Sequence, residues 1–528
     1  MVDWLPKVLL AALVPVYAVY LLAPAFGYMH DDGIYLLTAQ SLAQKGSYTI
    51  LSLPTEPAQS KYPVLYPALL SVFWQLSDNI KTVAMLGKVF SFVCFSVWVW
   101  LMRREALQVF GVEQWANWLV VLVAAANWCI FFATGNLPDM PFALLTWLAI
   151  LTVRNYAAQQ ERWGLVVMAG MMAGGVLLMR TTGLALAGAC ALALLRVRWW
   201  AAAVFLATTS IVVAPWILWQ MRQSIPSDVV QLYYSRGSYA LGNVLGGYSL
   251  EQILDVMGTN LLILTVSIFS PVENLPPMLG WIPGAVAVSI MGYGWYKRLR
   301  AEWSVETIWV GLYVALLLAW IWPPQKYIMP AIPLLLIFGI EGLRRVEWKE
   351  STRRAFPALL GACGILAVSL TYIGAYHTWR NGTPAVGTVD SDRWEKTIAI
   401  ADWIRAHTAP GDVIASNLDP VIYALSGRKS IRMFEHLQYQ LFYEDREVAH
   451  PVGTADGLLK NIESNQIRYL VVTEMKGFAE GLAFPKVLEE FQRRWPTVLQ
   501  LEATFGDSKH AIYRVDTERL MIARGTRQ

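Results

Sequence analysis

YMHDDGIYLLTAQSLAQKGSYTILSLPTEPAQSKYPVLYPALL, residues 28–70, follows the first hydrophobic run of the chain. It carries the acidic pair Asp31-Asp32, with His30 just before it and Lys61-Tyr62-Pro63 further on. Two short stretches, 34–44 and 64–75, mix apolar and polar positions at helical spacing. Neither is long or apolar enough to span a bilayer, so both read as amphipathic helices at a membrane surface. A carboxylate pair and a lysine held there point to chemistry on an amphiphilic, anionic substrate. The rest of the chain reads as the apparatus that holds this loop in place.

The 528 residues are 56% hydrophobic and 15% charged, where a soluble chain carries about a quarter charged residues. Repeated apolar runs of about 20 residues define an α-helical polytopic membrane protein. The run Val8–Ala25 lacks a convincing small-residue cleavage site and reads as a membrane helix. The net charge of +4 is spread over loops and offers no footing for nucleic acid. Cys94, Cys129, Cys190 and Cys363 fall inside apolar segments without metal-ligand spacing, which makes them packing residues.

Spans are expected near 8–27, 81–102, 115–133, 140–153, 164–179, 183–195, 200–219, 280–296, 305–322, 327–343 and 355–376, within a bundle of about 11–13 crossings. Basic residues collect in the loops on one side: Arg103-Arg104, Arg154 and Arg162, Arg196 and Arg198, Lys297-Arg298 with Arg300, and Arg344-Arg345 with Arg353-Arg354. By the positive-inside rule that side is cytoplasmic, and the loops at 28–79, 134–139, 220–279 and 323–326 lie outside. The apolar segment Gly258–Ser270 breaks this parity and reads as re-entrant, half-buried, or one of a pair. No transporter-like internal repeat is visible.

After Tyr376 the composition changes. Asn381-Gly382-Thr383-Pro384 reads as a linker, and residues 377–528 alternate short β-rich runs with amphipathic helices, which predicts a small extracytoplasmic α/β domain. Strands are expected at Asp412–Ser416, Ser430–Met433, Tyr469–Thr473, Val498–Thr504 and Ala511–Val515. Helices are expected at Arg393–His407, Pro420–Leu425, Gly457–Ser464 and Pro485–Gln492. With neither a Gly-rich phosphate loop nor a metal cluster, this domain reads as support or recognition, leaving residues 1–376 as the catalytic membrane domain.

Asp31 or Asp32 suits the N-cap of a helix beginning at Gly33. The same carboxylate, fixed by the cap, suits a general base at the membrane–water interface. Asp139 stands in a very short outer loop, 134–139, that opens directly into a span, where a carboxylate is costly and usually functional. Lys61, Arg180 and Lys326 sit at outer ends of spans. Snorkelling accounts for any one of them, yet they lie on the side poor in positive charge, and together they suit a lipid phosphate. No cofactor is required by these residues. A divalent metal ion shared by the acidic sites is the alternative, with His30 and Asp139 as its weak ligands; as a lone histidine, His30 more simply hydrogen-bonds at the interface.

These residues resemble motifs of the GT-C superfamily of membrane glycosyltransferases, in particular the family-39 group of protein O-mannosyltransferases and lipid A aminoarabinose transferases. Asp31-Asp32-Gly33-Ile34-Tyr35 resembles the acidic motif of the first outer loop, and Lys61-Tyr62-Pro63 the Lys-Pro-type motif whose lysine meets the donor phosphate. Leu178-Met179-Arg180-Thr181-Thr182-Gly183-Leu184 resembles the basic Thr/Pro-Gly-Leu turn. Lys326-Tyr327-Ile328-Met329-Pro330 resembles the basic-Tyr-x-x-Pro motif of a late helix, and Asp139 takes the place of the second acidic residue. Ser60 stands where the aminoarabinose transferases carry a glutamate able to bind metal.

The resemblance implies an inverting transfer of a sugar from a polyprenyl-phosphate donor, such as an undecaprenyl phosphate, to an acceptor lipid, glycan or protein. It would take place at the outer face of a bacterial inner membrane, with the C-terminal domain facing the periplasm and membrane lipids as further partners. Asp31, Asp32 and Asp139 would serve the acceptor; Lys61, Arg180 and Lys326 the donor phosphate; Tyr35, Tyr62 and Tyr327 would support them. A transporter or flippase of lipid-linked sugars would instead carry charges at mid-membrane within discontinuous helices. A ligase using lipid diphosphates would favour a large outer loop rich in Arg and His, and 220–279 holds only Arg222 and Arg236. A sensor built on the outer α/β domain is the non-enzymatic alternative.

Overall fold

The computed structural model describes residues 4–159, 162–223, 228, 230–231, 234, 249–269, 277–344, 350–387, 389–433, 443, 454–473, 479–506 and 509–520. The first helix, α1 (Leu5–Leu22), stops five residues before the expected end at position 27. Pro24 has no N–H with which to continue the ladder. The Lys88 ammonium takes the carbonyls freed at Ala23 (2.6 Å) and Ala25 (3.0 Å) and fixes the chain's exit from the bundle.

Two short helices follow, α2 (Asp31–Lys45) and α3 (Leu65–Leu76). The bundle continues with α4 (Ile80–Phe110), α5 (Glu113–Ala124), α6 (Asn127–Ala133), α7 (Asp139–Ala158), α8 (Trp163–Leu177), α9 (Leu184–Val197) and α10 (Trp199–Arg222). It closes with α11 (Leu250–Phe269), α12 (Pro277–Ala301), α13 (Val305–Leu318), α14 (Ile332–Arg344) and α15 (Glu350–Asn381). Each expected span coincides with a helix, except 115–133, which is divided between α5 and α6. The protein is a multi-pass helical membrane protein, although only α1, α4, α10 and the 360–381 part of α15 are long and apolar enough to cross alone among the described residues. The pair α5 and α6, bent by 72°, makes a fifth. The 15-residue α8 rises only about 22 Å and packs closely on α10, with Gly170 and Gly174 against the Phe205 and Thr209 carbonyls.

The basic helix ends meet at one end of this bundle. Arg154 pairs with Glu105 (2.9 Å), Arg103 with Glu113 (2.7 Å), and Arg298 with Glu341 (3.0 Å) and Glu306 (3.5 Å). Arg344 donates to the Phe110 carbonyl (3.0 Å); Arg345 and Arg236 lie outside the described residues. The segment Gly258–Ser270 proves to be most of the continuous helix α11, with its last residue outside the described set. Asn260 at its middle donates to the carbonyls of Leu317, Leu318 and Trp320 (3.3, 3.0 and 2.7 Å), which places that midpoint level with the C-terminal end of α13.

Beyond α15 come α16 (Trp394–His407), β1 (Val413–Ser416), α17 (Asp419–Ser426), β2 (Ser430–Ile431) and α18 (Ala455–Ser464). Then follow β3 (Ile467–Val472), α19 (Ala479–Arg494), β4 (Leu499–Thr504) and β5 (Ala511–Val515). The sheet order is β2-β1-β3-β5-β4, with β1 parallel to β2 and β3 and the β3-β5-β4 part antiparallel. Ile400, Ile404, Ile414, Ile422, Val471 and Ile512 fill its core. The stretch expected as a linker is held down: Ala25 N–H donates to Gly382 O (3.1 Å) and the Tyr20 hydroxyl to Ala385 O (3.0 Å).

Candidate functional site

Two expectations about the acidic turn need correction. α2 begins at Asp31, not Gly33, so both aspartates occupy its first turn and neither is an N-cap; the preceding residue is His30, whose side chain makes no cap bond. Carboxylates in a first turn still gain from the helix dipole. Nor does α2 lie on the lipid surface, because residues 32–39 are all buried. The α/β domain covers the side that an amphipathic helix would show to water, with α17 packed on α2.

The turn that presents the acids is tight. His30 adopts φ +64° and ψ −56°, and Asp31 N–H donates to Met29 O at 2.7 Å across it. This is a three-residue γ-turn of the strained hand, a conformation that costs about 1–3 kcal/mol and persists only where its surroundings impose it. The surroundings come from the α/β domain: His30 Nε2 stands 2.9 Å from Asp419 Oδ1 and 3.2 Å from Arg432 Nε. Burial pushes the Asp419 carboxyl up to about 8, with Arg432 holding it lower than burial alone would.

Asp31 is only partly covered, and its Oδ1 accepts the Tyr62 hydroxyl at 2.6 Å. Asp32 is buried and accepts Met29 N–H at 3.0 Å. Burial, then the Asp31 charge, push its carboxyl up to about 7, against the backbone N–H groups of Met29, Gly27 and Gly33.

Lys61 and Tyr62 arrive from the other arm of the loop. Their N–H groups share the Gln59 side-chain oxygen (2.8 and 3.2 Å), and α10 grips the same strand through Trp219 Nε1 to Gln59 O (3.1 Å) and Gln220 Nε2 to Ser60 O (2.6 Å). Tyr35 packs against Tyr62 (5.1 Å between ring centres) and Tyr66 (5.3 Å), and Lys61 Nζ lies 5.2 Å from the Tyr62 ring. Burial pulls the Lys61 ammonium down to about 7; Asp31 resists the fall, and Arg432 and Lys326 add to it.

The second acidic residue comes from the start of α7. Asp139 Oδ2 accepts Arg180 Nη2 at 2.6 Å, with Asp139 buried and Arg180 partly covered. The Tyr327 ring stands between Arg180 (5.2 Å) and Lys326 (5.1 Å), and its carbonyl accepts the Tyr313 hydroxyl at 2.8 Å. Lys326 lies within electrostatic reach of Asp31, Arg180 and Asp139, so the two acidic sites and three cations form one cluster.

All ten residues singled out in the sequence therefore meet, except that His30 faces Asp419 and Arg432. Those two, and Gln59, were not foreseen. Their signal was thin: Asp419 and Arg432 each follow the C-terminal end of a strand, where α/β sheets commonly present polar groups. His30 and Asp139 each lie against an arginine, and among the described residues no three His, Cys, Asp or Glu side chains gather in one group. Chemically, the cluster gathers three cationic side chains suited to an anion, with a partly covered carboxylate beside them.

Comparison with solved structures gives the fold: the chain is similar over nearly its whole length to two kinds of membrane transferase. ArnT from Cupriavidus metallidurans bound to undecaprenyl phosphate is 15% identical, with a TM-score of 0.57, covering 96% of this chain and 97% of its own. The apo state of that ArnT gives 13% and 0.54, covering 97% and 98%. The archaeal oligosaccharyltransferase AglB from Archaeoglobus fulgidus, in complex with an inhibitory peptide and a dolichol-phosphate, is 14% identical with a TM-score of 0.53, covering 98% of this chain and 74% of its own. No protein-family model and no curated protein sequence matches the chain.

Proposed function

We propose that this protein is an integral-membrane glycosyltransferase that moves a sugar from a polyprenyl monophosphate carrier to a lipid, glycan or protein acceptor. One observation carries the reading: Asp31, Lys61, Lys326 and the Arg180–Asp139 pair converge in a bundle whose fold is shared with an ArnT bound to undecaprenyl phosphate. Asp31 takes the proton of the acceptor hydroxyl or amine as that atom attacks the anomeric carbon. The bond from that carbon to the phosphate oxygen breaks, and the electron pair leaves on the polyprenyl phosphate. In-line displacement inverts the anomeric centre. Lys61, Lys326 and Arg180 stabilise the second negative charge gained by the phosphate, a role typically worth about 3–4 kcal/mol per contact at such sites. Tyr35, Tyr62 and Tyr327 hold the acid and the cations apart and in register.

In this reading the protein sits in a bacterial inner membrane, with its basic helix ends in the cytoplasm and its active site and α/β domain in the periplasm. An enzymatic reporter fused after Leu520 is expected to work only outside the cytoplasm, and one fused at Arg162 only inside; the opposite pattern at both would reverse the orientation. The reaction is tested by incubating the protein in nanodiscs with undecaprenyl-phosphate sugars and envelope extract, with and without EDTA. Mass spectrometry should find free undecaprenyl phosphate and a glycosylated acceptor in both. Donors left intact with every sugar and extract would refute the transfer. The reading is metal-optional, so loss of transfer in EDTA alone would correct that part of it.

Lys61 makes donor binding depend on pH with a definite sign. Its pull down to about 7 leaves the free site mostly neutral at pH 8, whereas an anionic phosphate favours the ammonium. Donor binding at pH 8 is therefore expected to take up about one proton, and affinity to fall by up to about tenfold per pH unit above 7. Calorimetry in two buffers of different ionisation enthalpy reads the proton directly. Lys61→Arg should retain part of the affinity and lose the uptake, and Lys61→Ala should lose both. Parent binding without proton exchange at pH 8 would remove Lys61 from the phosphate site.

A further inference from the structure

The acidic turn has hydrogen bonds of its own, but they are not its only support. Its strained centre, His30, reaches across 389 positions of sequence to Asp419 (2.9 Å), the first residue of α17. We propose that Asp419, with Arg432 beside it, acts through His30 as a positioning residue for Asp31 and Asp32, so that docking of the α/β domain sets the geometry of the transfer. This rests on the reading above, in which Asp31 is the base.

The geometry supports it at three levels. Asp419 is fully buried, so its contact with His30 is screened little by water. The backbone of His30 is shared with Asp31 on one side and with Met29, whose N–H binds Asp32, on the other. Any relaxation of the γ-turn therefore moves both carboxylates and weakens the 2.6 Å bond between Tyr62 and Asp31.

The domain also seats itself by shape. A Cβ added at Gly27, which has φ +70°, would stand 2.5 Å from Val421 Cγ2, and one at Gly33 would stand 2.8 Å from Pro420 Cβ. Val421 and Pro420 are thus lodged against the two glycines that flank the turn. Arg432 closes the other side: its Nε lies 3.2 Å from His30 Nε2, its backbone N–H donates to the Tyr234 hydroxyl at 3.1 Å, and its carbonyl accepts Asn461 Nδ2 at 2.8 Å. Asn461 lies in α18, so the clamp is tied into the body of the domain.

A purely structural contact and a positioning contact give different results in the full-length protein in nanodiscs. Asp419→Ala is expected to lower kcat by about tenfold or more while donor KM stays within about threefold, the signature of an interaction that acts in the transition state. Asp419→Asn, which still offers an oxygen to His30, should recover a large part of kcat. The double variant His30→Ala/Asp419→Ala should be no slower than either single one, as expected of coupled residues. Hydrogen–deuterium exchange should rise in residues 28–36 of Asp419→Ala with β1, β3 and β5 protected as in the parent.

Parent-like kcat in both Asp419 variants, or exchange unchanged in 28–36, would overturn the proposal. So would exchange rising throughout the sheet in Asp419→Asn, since the residue would then serve the domain's own fold. The exchange arm needs no turnover. Raised exchange in 28–36 of Asp419→Ala, alongside a parent that transfers no sugar, would therefore retain the clamp and reject the glycosyltransferase reading.

Discussion

Asp31→Asn is expected to slow transfer by about 10²–10⁴-fold, the usual loss when a general base is removed, with donor affinity within a few-fold of the parent. The amide retains an oxygen for the Tyr62 hydroxyl, so the 2.6 Å contact and the first turn of α2 should survive. Only the ability to take a proton is lost. Asp32 competes for the role on chemical grounds, since a carboxyl at about 7 is well matched to proton transfer at neutral pH. It is buried, however, and its oxygen is tied to Met29 N–H, whereas Asp31 is partly open. Reach decides before basicity does. The measurement is initial rate against donor and acceptor concentration for Asp31→Asn and Asp32→Asn. A parent-like rate for Asp31→Asn with loss in Asp32→Asn would transfer the role to the inner carboxylate.

The bundle was legible in the sequence because long apolar segments separated by basic loops admit few other structures, and every expected span but the broken one at 115–133 has its helix. The five strands were legible for a similar reason, as short β-branched runs between turns. The acidic turn was legible in composition but not in shape. Asp31 and Asp32 announce a helix start, yet the position of that start is set by a γ-turn at His30 that a histidine adopts only under outside constraint. That constraint comes from Asp419 and Arg432, and no local pattern near residue 30 contains it.

Exposure misled for the same reason. α2 mixes polar and apolar positions as a surface helix does, but its polar side meets a protein domain and not water. The amphipathic pattern records that one face is less apolar; what covers the face is a tertiary fact. The cations drew notice because they lie apart from the basic loops in the sequence. Their pairing did not, since Arg180 and Asp139 are 41 positions apart in sequence.

That pair carries the other large effect. Arg180→Ala should leave Asp139, whose side chain is only 2% exposed, without its 2.6 Å partner. Breaking one side of a buried ion pair typically costs about 3–5 kcal/mol, so a clear drop in Tm is expected before any chemistry is considered. Loss of donor binding in this variant alone would therefore say little about the phosphate. Arg180→Ala combined with Asp139→Asn removes the stranded charge and should return most of the lost stability, because an amide is far cheaper to bury than an unpaired carboxylate. What the double variant cannot restore is a positive charge facing the donor. Donor affinity and rate should then stay low while Tm recovers, and Asp139→Asn alone should keep donor binding, with Arg180 released to the phosphate. Recovery of affinity together with Tm in the double variant would make Arg180 a counter-ion for Asp139 and nothing more. The charge on the departing phosphate would then fall to Lys61 and Lys326.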